Sequence, residues 1–271
     1  MPELPEVETT CNGIRPHLLK QNIVTVKVRN ASLRWPVPAD IDQRLRLSTI
    51  TGVERRAKYI LLHTNIGTTL IHLGMSGSLR IVAADTVAEK HDHVDFVLGN
   101  GLCLRLRDPR RFGSVLWAGT EPLQHKLLQT LGPEPLGEGF NSELLFARSR
   151  KRKQSIKTFI MDAHVVVGVG NIYASESLFL AGIHPKRAAG STSLIRYARL
   201  VEAIKTILTN AIERGGTTLR DFVNSEGEPG YFSQQLMVYG RADEQCMNCS
   251  STIRQITLGQ RSTFYCPGCQ K

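Results

Sequence analysis

The first half of the chain consists of short segments in which apolar residues alternate with polar ones or run together, a pattern typical of β-strands. Turn-forming residues such as Asn65-Ile66-Gly67 and Gly99-Asn100-Gly101 separate these segments. Strands at this spacing predict an antiparallel sandwich or a flattened barrel. The predicted strands cover residues 23–28, 59–62, 69–73, 93–98 and 102–106.

Helical patterns flank this region, so the sequence predicts an α+β fold. The first helix is predicted at residues 2–19, because prolines stand at its start and acidic residues in its first turn. The segment Gly-Pro-Glu-Pro-Leu-Gly at 132–137 is typical of a linker between domains. Beyond it, helices are predicted at residues 141–161, 171–180, 193–214 and 217–223.

Four of the six cysteines form two Cys-x-x-Cys pairs near the C-terminus, separated by sixteen residues: Cys246, Cys249, Cys266 and Cys269. This spacing fits a zinc ribbon in which four thiolates fill the coordination sphere of one structural Zn²⁺. Two disulfides are the alternative. The chain carries no recognisable signal peptide, which favours a reducing cytoplasm where disulfides are rare. Cys11 and Cys103 are predicted to be small buried hydrophobes.

The balance of charge points to an acidic polymer as partner. The chain has 271 residues, enough for two domains, and its 34 Lys and Arg residues outnumber its 24 Asp and Glu residues. The net charge of +10 favours nucleic acid, although a charge that only aids solubility is the alternative. No apolar run approaches eighteen residues, so no membrane-spanning helix is predicted.

The start of the chain, Met-Pro-Glu-Leu-Pro-Glu, is suited to amine chemistry. Removal of Met1 leaves Pro2 with a secondary α-amine, whose pKa is about 8 against about 10.4 for a lysine side chain. Its attack on a sugar aldehyde carbon forms an iminium ion that acidifies the neighbouring carbon, and Glu3 and Glu6 are placed to move protons. The alternative is a polar chain start in which Pro2 stiffens an extended arm.

Two loops carry residues suited to entering a DNA duplex. In Asp-Pro-Arg-Arg-Phe-Gly at 108–113, Phe112 is suited to wedge between bases and Arg110 to pair with an orphaned base. In His-Leu-Gly-Met-Ser-Gly at 72–77, Met75 is suited to fill the space left by a flipped base. A surface loop over a core aromatic residue and a core methionine are the alternatives.

A third motif is a glycine-bearing turn at 165–173 that leads into a predicted helix. Helix starts expose N–H groups that bind phosphates, and Asn171 stands where an N-cap or a phosphate-binding amide is expected. Such a turn is equally typical of a segment that serves packing alone.

Five motifs occur in one order: Pro-Glu-Leu-Pro-Glu-Val-Glu at the start, the loops at 72–77 and 108–113, Gly-Val-Gly-Asn-Ile-Tyr-Ala at 168–174 and the four-cysteine finger. Together they resemble the bacterial formamidopyrimidine-DNA glycosylases over essentially the whole chain. The resemblance implies a β-sandwich domain at 1–132, a linker at 133–138, a helix-two-turn-helix DNA-binding domain at 139–240 and a zinc finger at 241–271. It also implies that DNA binds between the two domains.

The resemblance further implies roles for single residues. Pro2 attacks C1′ of the damaged nucleotide, Glu3 is the general acid and base, and Lys58 contacts a phosphate near the lesion. Supporting roles fall to Glu6, Lys157 and Arg220. The implied DNA contacts are His72, Met75, His91, Arg110, Phe112, Asn171 and Arg261, and the segment Phe222–Tyr231 matches a loop that closes over the flipped base.

The implied activity is the removal of oxidised purines, namely 8-oxoguanine and formamidopyrimidines, from double-stranded DNA by a monomeric enzyme. The imine then drives β- and δ-elimination. The nearest alternative is an endonuclease VIII-type enzyme acting on oxidised pyrimidines, but that group typically starts Pro-Glu-Gly-Pro-Glu and lacks the Met75, Arg110 and Phe112 trio. A non-catalytic DNA-binding protein, and a metal enzyme using His91-Asp92-His93 with Asp95, are further alternatives.

Overall fold

The structure of the protein is a computed structural model that describes residues 2–215 and 236–271. The described chain divides into two compact units. Among the described residues, the first unit contains 2–129 and 214–215, and the second unit contains 130–213 and the C-terminal finger. Antiparallel sheets in the first unit and helices with a cysteine finger in the second confirm the predicted α+β fold.

The first unit is built from two four-stranded antiparallel sheets, with strand orders β1-β6-β7-β5 and β2-β3-β4-β8. One long helix, α1, packs along β2. The elements are α1 (Leu4–Leu18), β1 (Ile23–Val28), α2 (Ile41–Leu45), β2 (Ile50–Arg56), β3 (Tyr59–Thr64), β4 (Gly67–His72), β5 (Ser78–Ala83), β6 (Asp92–Leu98), β7 (Leu102–Arg107) and β8 (Ser114–Gly119).

A single hydrophobic core joins both sheets and α1. Helix α1 contributes Val7, Cys11, Ile14 and Leu18, whose spacing of four, three and four residues places them on one face. Burial of that face, rather than helix propensity alone, holds the helix in place. The start of α1 and the β2–β3 hairpin beside it are thereby fixed to the core.

Sequence patterns do not predict three strands, β2, β5 and β8, and all three lie at sheet edges. Each edge strand has a hydrogen-bonded neighbour on one side only, so its residues need not form a continuous apolar run. The end of β2, Glu54-Arg55-Arg56, is charged for this reason. The predicted sandwich is therefore confirmed, with three more strands than the pattern indicated.

The second unit contains four α-helices and a β-hairpin among its described residues. These are α3 (Ser142–Ser149), α4 (Ile156–Ile160), α5 (Asn171–Leu180), α6 (Leu194–Glu213), β9 (Arg254–Leu258) and β10 (Arg261–Tyr265). The predictions for α5 and α6 are confirmed to within a residue. The predicted helix at 217–223 lies outside the described residues.

The single helix predicted at 141–161 is wrong, because the chain forms α3 and α4 with a break between them. Four consecutive cations at 150–153 repel one another, and Lys151 adopts the left-handed conformation with φ of 63°. Ser155 then restarts the helix as an N-cap, since its side chain accepts a hydrogen bond from the Thr158 amide.

The finger is attached to α5 by both apolar and polar contacts. Phe179 of α5 packs with Val238, Ile253 and Phe264 in a small core. The buried Glu176 carboxyl group accepts hydrogen bonds from the backbone N–H groups of residues 237, 238 and 239. None of the helices within 2–215 and 236–271 has the length and apolar character that crossing a membrane requires.

Truncation of a core aromatic residue tests this arrangement. Phe96 of β6 is fully buried, whereas Phe112 is 43% exposed on a loop. We expect Phe96→Ala to lower the free energy of unfolding of the first unit by about 3–5 kcal/mol, because a large cavity remains. The matched variant Phe112→Ala should change it by less than about 1 kcal/mol.

Urea unfolding followed by tryptophan fluorescence reads out the first unit alone, since both tryptophans, Trp35 and Trp117, lie in it. Equal shifts of the unfolding midpoint in the two variants would contradict the assignment of Phe96 to the core and of Phe112 to the surface.

Candidate active site and nucleic-acid interface

Helix α1 begins with a capping box made by the two acidic residues of the N-terminal motif. The Glu3 N–H donates to Glu6 Oε2 at 2.7 Å, and both side chains are only 3% exposed. The Glu6 carbonyl also accepts from Thr10 Oγ1 at 2.8 Å. Glu6 thus holds the backbone beside Pro2, and Pro2 itself is buried.

Contacts between α1 and β2 show which end of the unit this site occupies. Arg15 Nε donates to the Val53 carbonyl, and the Arg55 guanidinium pairs with Glu8 at 2.6 Å. The helix and the strand therefore run antiparallel, so residues nearer the start of α1 contact residues nearer the end of β2. The start of α1 and the turn after β2, which carries Lys58, lie at the same end of the first unit.

The turn that carries Lys58 is held in an unusual conformation. Ala57 is buried and adopts a φ of 56°, the left-handed region that non-glycine residues seldom enter. The Ala57 carbonyl accepts a hydrogen bond from the Arg55 guanidinium at 3.1 Å. Since Arg55 also pairs with Glu8 of α1, one guanidinium fixes the hairpin tip to the helix that begins two residues after Pro2.

His72 lies next to Lys58 across the β3–β4 pairing. Residue 72 is the register partner of Tyr59, and the two rings are 4.9 Å apart. His72 Nδ1 accepts a hydrogen bond from the Gly74 N–H at 3.0 Å. Burial, and then the positive charges of Lys58 and Arg34, lower the pKa of His72 to about 4. The ring is therefore neutral at physiological pH, with its proton on Nε2.

The two loops predicted to enter the duplex lie against each other. Gly74 has a φ of 64°, and a Cβ atom built on it would lie 2.4 Å from the Gly113 nitrogen. Only glycine permits this approach. Met75 and Phe112 are thereby placed on adjacent loops, and the Arg110 guanidinium lies over the Phe112 ring at 5.0 Å.

In the second unit, Lys157 joins three elements from a fully buried position. Its Nζ atom donates to Asn171 Oδ1 at 2.6 Å, to Thr263 Oγ1 at 2.8 Å and to the Ser262 carbonyl at 3.2 Å. These partners belong to α5 and to β10. A buried ammonium group needs such partners, so Lys157 fixes the finger hairpin against the helix pair.

Asn171 does not occupy the N-cap position, which was one of its two predicted roles. Gly170 is the N-cap of α5, and Asn171 is the first helical residue. The Asn171 side chain accepts from Lys157 and donates from Nδ2 to the Ser262 carbonyl at 2.9 Å. Its amide therefore links α5 to the finger, and its predicted DNA contact remains a prediction.

Arg261 lies exposed at the tip of the finger hairpin, where it pairs with Leu258. The two residues between them, Gly259 and Gln260, have φ values of 54° and 59°, as a two-residue hairpin turn with both residues left-handed requires. A Cβ atom on Gly259 would lie 3.0 Å from Thr158 Cγ2. The hairpin tip thus lies against α4.

The four cysteines of the finger converge as the zinc prediction requires. Their sulfur atoms lie within 4.8 Å of one another, with separations of 3.4–3.8 Å among the closest pairs. A tetrahedral zinc with bonds of about 2.3 Å places its sulfur ligands about 3.8 Å apart, whereas a disulfide needs about 2.05 Å. The finger therefore holds one structural zinc ion, and the disulfide alternative is wrong.

The two remaining cysteines are buried, and Asp95 of the suggested metal cluster is held in ion pairs. Cys11 and Cys103 are fully buried, as predicted, and burial raises the pKa of both thiols to about 12. Asp95 pairs with the guanidinium groups of Arg29 and Arg105. Among residues 2–215 and 236–271, the four finger cysteines are the only group of side chains placed to hold a metal.

His91 and its neighbour His93 have rings 6.4 Å apart in an edge-to-face arrangement. His93 Nε2 lies 2.8 Å from the Asp108 carbonyl oxygen. Within the described residues, His91, Asp92, His93 and Asp95 do not form a metal-binding cluster, so the metal-enzyme alternative has no site. The DNA contact of His91 remains a prediction. Arg220 and the segment Phe222–Tyr231 lie outside the described residues.

Sequence reasoning assigned no role to Arg34 or Glu176. The Arg34 N–H donates to the Gly113 carbonyl at 3.1 Å, and its charge contributes to the lowered pKa of His72. Arg34 is far from both residues in sequence, so no spacing pattern could find it. Almost every residue of α5 is buried, and Glu176 is the single carboxylate among them. A lone acidic residue in an otherwise apolar helix was the sequence signal that could have identified it.

The protonation state of His72 can be measured directly. We expect its ring to titrate near pH 4 in the folded protein and to keep its proton on Nε2 above that, as seen by ¹⁵N NMR. Between about pH 6.5 and 4 the unfolded chain binds a proton that the folded chain does not. His72 should thus make stability fall as pH decreases through this window, and His72→Gln should reduce that fall. A midpoint near 6.5 would contradict the assignment.

Three family models match successive parts of the chain. The N-terminal domain of formamidopyrimidine-DNA glycosylase matches residues 1–115, its H2TH domain matches 131–223, and the zinc finger found in FPG and IleRS matches 243–271. Formamidopyrimidine-DNA glycosylases of Stutzerimonas stutzeri and Pseudomonas aeruginosa are each 59% identical to the chain over 271 residues, which is the full length of both proteins in each comparison.

Solved structures agree with these matches. A complex of a mutant form of the Lactococcus lactis FPG with Fapy-dG-containing DNA has a TM-score of 0.93 and 32% identity, and covers 100% of both chains. A complex of the Lactococcus lactis enzyme with abasic-site DNA has a TM-score of 0.92 and 32% identity, and covers 99% of both chains. Sequence, fold and finger together establish that the chain belongs to the formamidopyrimidine-DNA glycosylase family.

Proposed function

We propose that the protein is a bifunctional DNA glycosylase and AP lyase that removes oxidised purines from double-stranded DNA in base-excision repair. The observation that carries this function is the buried capping box of Glu3 and Glu6, which holds Pro2 at the same end of the first unit as Lys58. An amine, a proton-transferring carboxyl group and a phosphate-binding cation are the three parts that imine chemistry on a nucleotide needs.

The relatives support the choice of substrate. The Lactococcus lactis protein has been solved with Fapy-dG-containing DNA and with abasic-site DNA, which are a substrate type and a product type of such a reaction. In this chain Leu4, Met75, Arg110 and Phe112 are all present, and this set favours the purine enzyme over the endonuclease VIII type. We therefore assign 8-oxoguanine and formamidopyrimidines as the substrate class.

The first chemical step uses the N-terminal amine. After removal of Met1, the Pro2 nitrogen attacks C1′, the C1′–N bond breaks, and the purine leaves with the bonding electrons and takes up a proton. Glu3 then donates a proton to the ring oxygen O4′, so the sugar opens and an iminium ion forms. Glu6 is assigned a supporting role, in which its carboxyl group holds the Glu3 backbone N–H.

Strand cleavage follows from the acidity that the iminium ion creates. Loss of a proton from C2′ expels the 3′ phosphate in β-elimination, and a second elimination expels the 5′ phosphate. The product is a gap of one nucleotide with phosphate at both ends. We assign the positioning of these phosphates to Lys58 and His72 in the first unit, and to Asn171 and Arg261 in the second.

Base flipping is assigned to the paired loops of the first unit. Extrusion of a base costs a few kcal/mol, and least for damaged bases. Met75 and Phe112 would occupy the vacated space, and Arg110 would face the estranged base. Lys157 is assigned a positioning role, since its contacts with Ser262 and Thr263 hold the strand that begins at Arg261.

We place the domain boundaries at 132/133, 138/139 and 240/241. We also propose that the protein is a monomer located in the cytoplasm. The family matches at 1–115 and 243–271 support a separate first domain and a separate finger, and the match at 131–223 begins two residues before the proposed linker. The zinc site supports the location, because free thiolates persist under reducing conditions.

Trapping the imine tests the chemistry. The protein is incubated with a duplex carrying 8-oxoguanine opposite cytosine, borohydride is added, and the covalent adduct is mapped by peptide mass spectrometry. We expect an adduct on Pro2 of the processed chain. An adduct on a lysine would remove Pro2 from its role, and intact DNA binding without any adduct would contradict the enzymatic function.

Salt dependence tests the role of the finger. Arg261 and Arg254 are exposed arginines on the same hairpin, at opposite ends of the strand pair. We expect Arg261→Ala to weaken DNA binding and to lower the slope of log K against log salt by about 1, since one phosphate contact is lost. Arg254→Ala removes the same charge and should leave the slope unchanged. Equal slopes in both variants, as measured by fluorescence anisotropy, would refute the placement of Arg261.

A further inference from the structure

One buried carboxyl group connects the two loops that carry Met75, Arg110 and Phe112. Asp108 is 0% exposed. Its Oδ1 atom accepts a hydrogen bond from Ser76 Oγ at 3.2 Å, and its Oδ2 atom accepts one from the Gly113 N–H at 2.7 Å. Ser76 directly follows Met75, and Gly113 directly follows Phe112. Oδ1 of Asp108 therefore binds the loop that carries Met75, and Oδ2 binds the loop that carries Phe112.

The backbone of Asp108 is fixed independently of its side chain. Its N–H donates to the His91 carbonyl at 3.0 Å, and its carbonyl oxygen lies 2.8 Å from His93 Nε2. The same carbonyl accepts the Arg111 N–H at 3.2 Å, which closes the turn of the second loop. Because these contacts tie Asp108 to the start of β6, its carboxyl group is a fixed point to which both loops are attached.

The loops have little freedom to shift against each other. A Cβ atom at Gly74 would lie 2.4 Å from both the Gly113 nitrogen and the Phe112 carbonyl carbon, and one at Gly113 would lie 2.7 Å from the His72 carbonyl oxygen. The Gly77 N–H also closes the first loop by donating to the Leu73 carbonyl at 2.8 Å. A displacement of either loop is thus passed to the other.

We infer that Asp108 is a positioning residue that sets the Met75 loop and the Arg110–Phe112 loop as one rigid wedge, so that both enter the duplex together when a base is extruded. The inference rests on the proposed function, because it assigns Asp108 a task in duplex entry. Asp108 does not touch DNA in this account. It acts through Ser76 and Gly113.

The physical reason is the entropy of ordering two loops. Met75 and Phe112 are exposed or half-buried and lie 37 positions apart in sequence (112 − 75), so their relative position depends on tertiary contacts. If the loops were free, insertion into the duplex would have to order each of them separately. A wedge that is ordered before binding avoids this loss and leaves more binding free energy for base extrusion.

Substitution of Asp108 by alanine and by asparagine separates this role from general damage. Asp108→Ala removes both acceptors. Asp108→Asn keeps both links, because its Oδ1 atom can accept the Gly113 N–H while its Nδ2 atom donates to Ser76 Oγ, which accepts as well as donates. The readouts are kcat/KM for excision of 8-oxoguanine from a duplex, and borohydride trapping at an abasic site in single-stranded DNA, which offers no vacated duplex space to fill.

We expect Asp108→Ala to lower kcat/KM on the duplex by about tenfold or more, while trapping on the single strand stays within about twofold of the wild type. Asp108→Asn should restore duplex activity to within about threefold. A parallel loss of both reactions in Asp108→Ala, or wild-type duplex activity in that variant, would overturn the inference. If the wild-type protein itself forms no adduct, the proposed function fails instead.

Ser76→Ala keeps the inference testable if Asp108→Ala does not fold. It removes the link to the Met75 loop and leaves the Gly113 hydrogen bond in place. We expect a loss of about threefold to tenfold in duplex kcat/KM and a single-strand reaction within about twofold of wild type. An unchanged duplex kcat/KM in Ser76→Ala would also overturn the coupling of the two loops.

Discussion

The hydrogen bond from the Glu3 amide to the Glu6 carboxyl group is the interaction on which the candidate active site depends. An amine at a chain end is ordinarily mobile, and a mobile nucleophile has little catalytic value. The capping box makes the chain end part of a helix whose apolar face belongs to the core. The position of Pro2 is thereby stabilised by the same packing that stabilises the fold of the first unit.

The same principle operates at three other points, each time through a buried polar side chain that joins separate chain segments. Arg55 joins α1 to the hairpin tip beside Lys58, Lys157 joins the helix pair to the finger strand, and Glu176 joins α5 to the residues before the zinc site. A buried charge is costly unless its partners are in place. The residues assigned to DNA are therefore held by polar contacts that form only in the folded state.

Local patterns in the sequence predict α1, α5 and the interior strands of both sheets, because these elements bury a regular set of apolar residues. They do not predict the edge strands β2, β5 and β8 or the break between α3 and α4, which depend on pairing and on charge repulsion. The finger was predictable because two Cys-x-x-Cys pairs at this spacing are typical of a zinc ribbon. The links through Asp108 and Lys157 were not, because their partners lie far away in sequence.

The neutral state of His72 affects how the salt dependence of DNA binding relates to the number of phosphates contacted. Each lysine or arginine that neutralises a phosphate releases a counterion, whereas an uncharged imidazole that donates to a phosphate oxygen releases none. Burial and the charges of Lys58 and Arg34 keep the His72 ring in that uncharged form. In the proposed complex, the number of phosphates that the protein contacts therefore exceeds the number of ions that binding displaces.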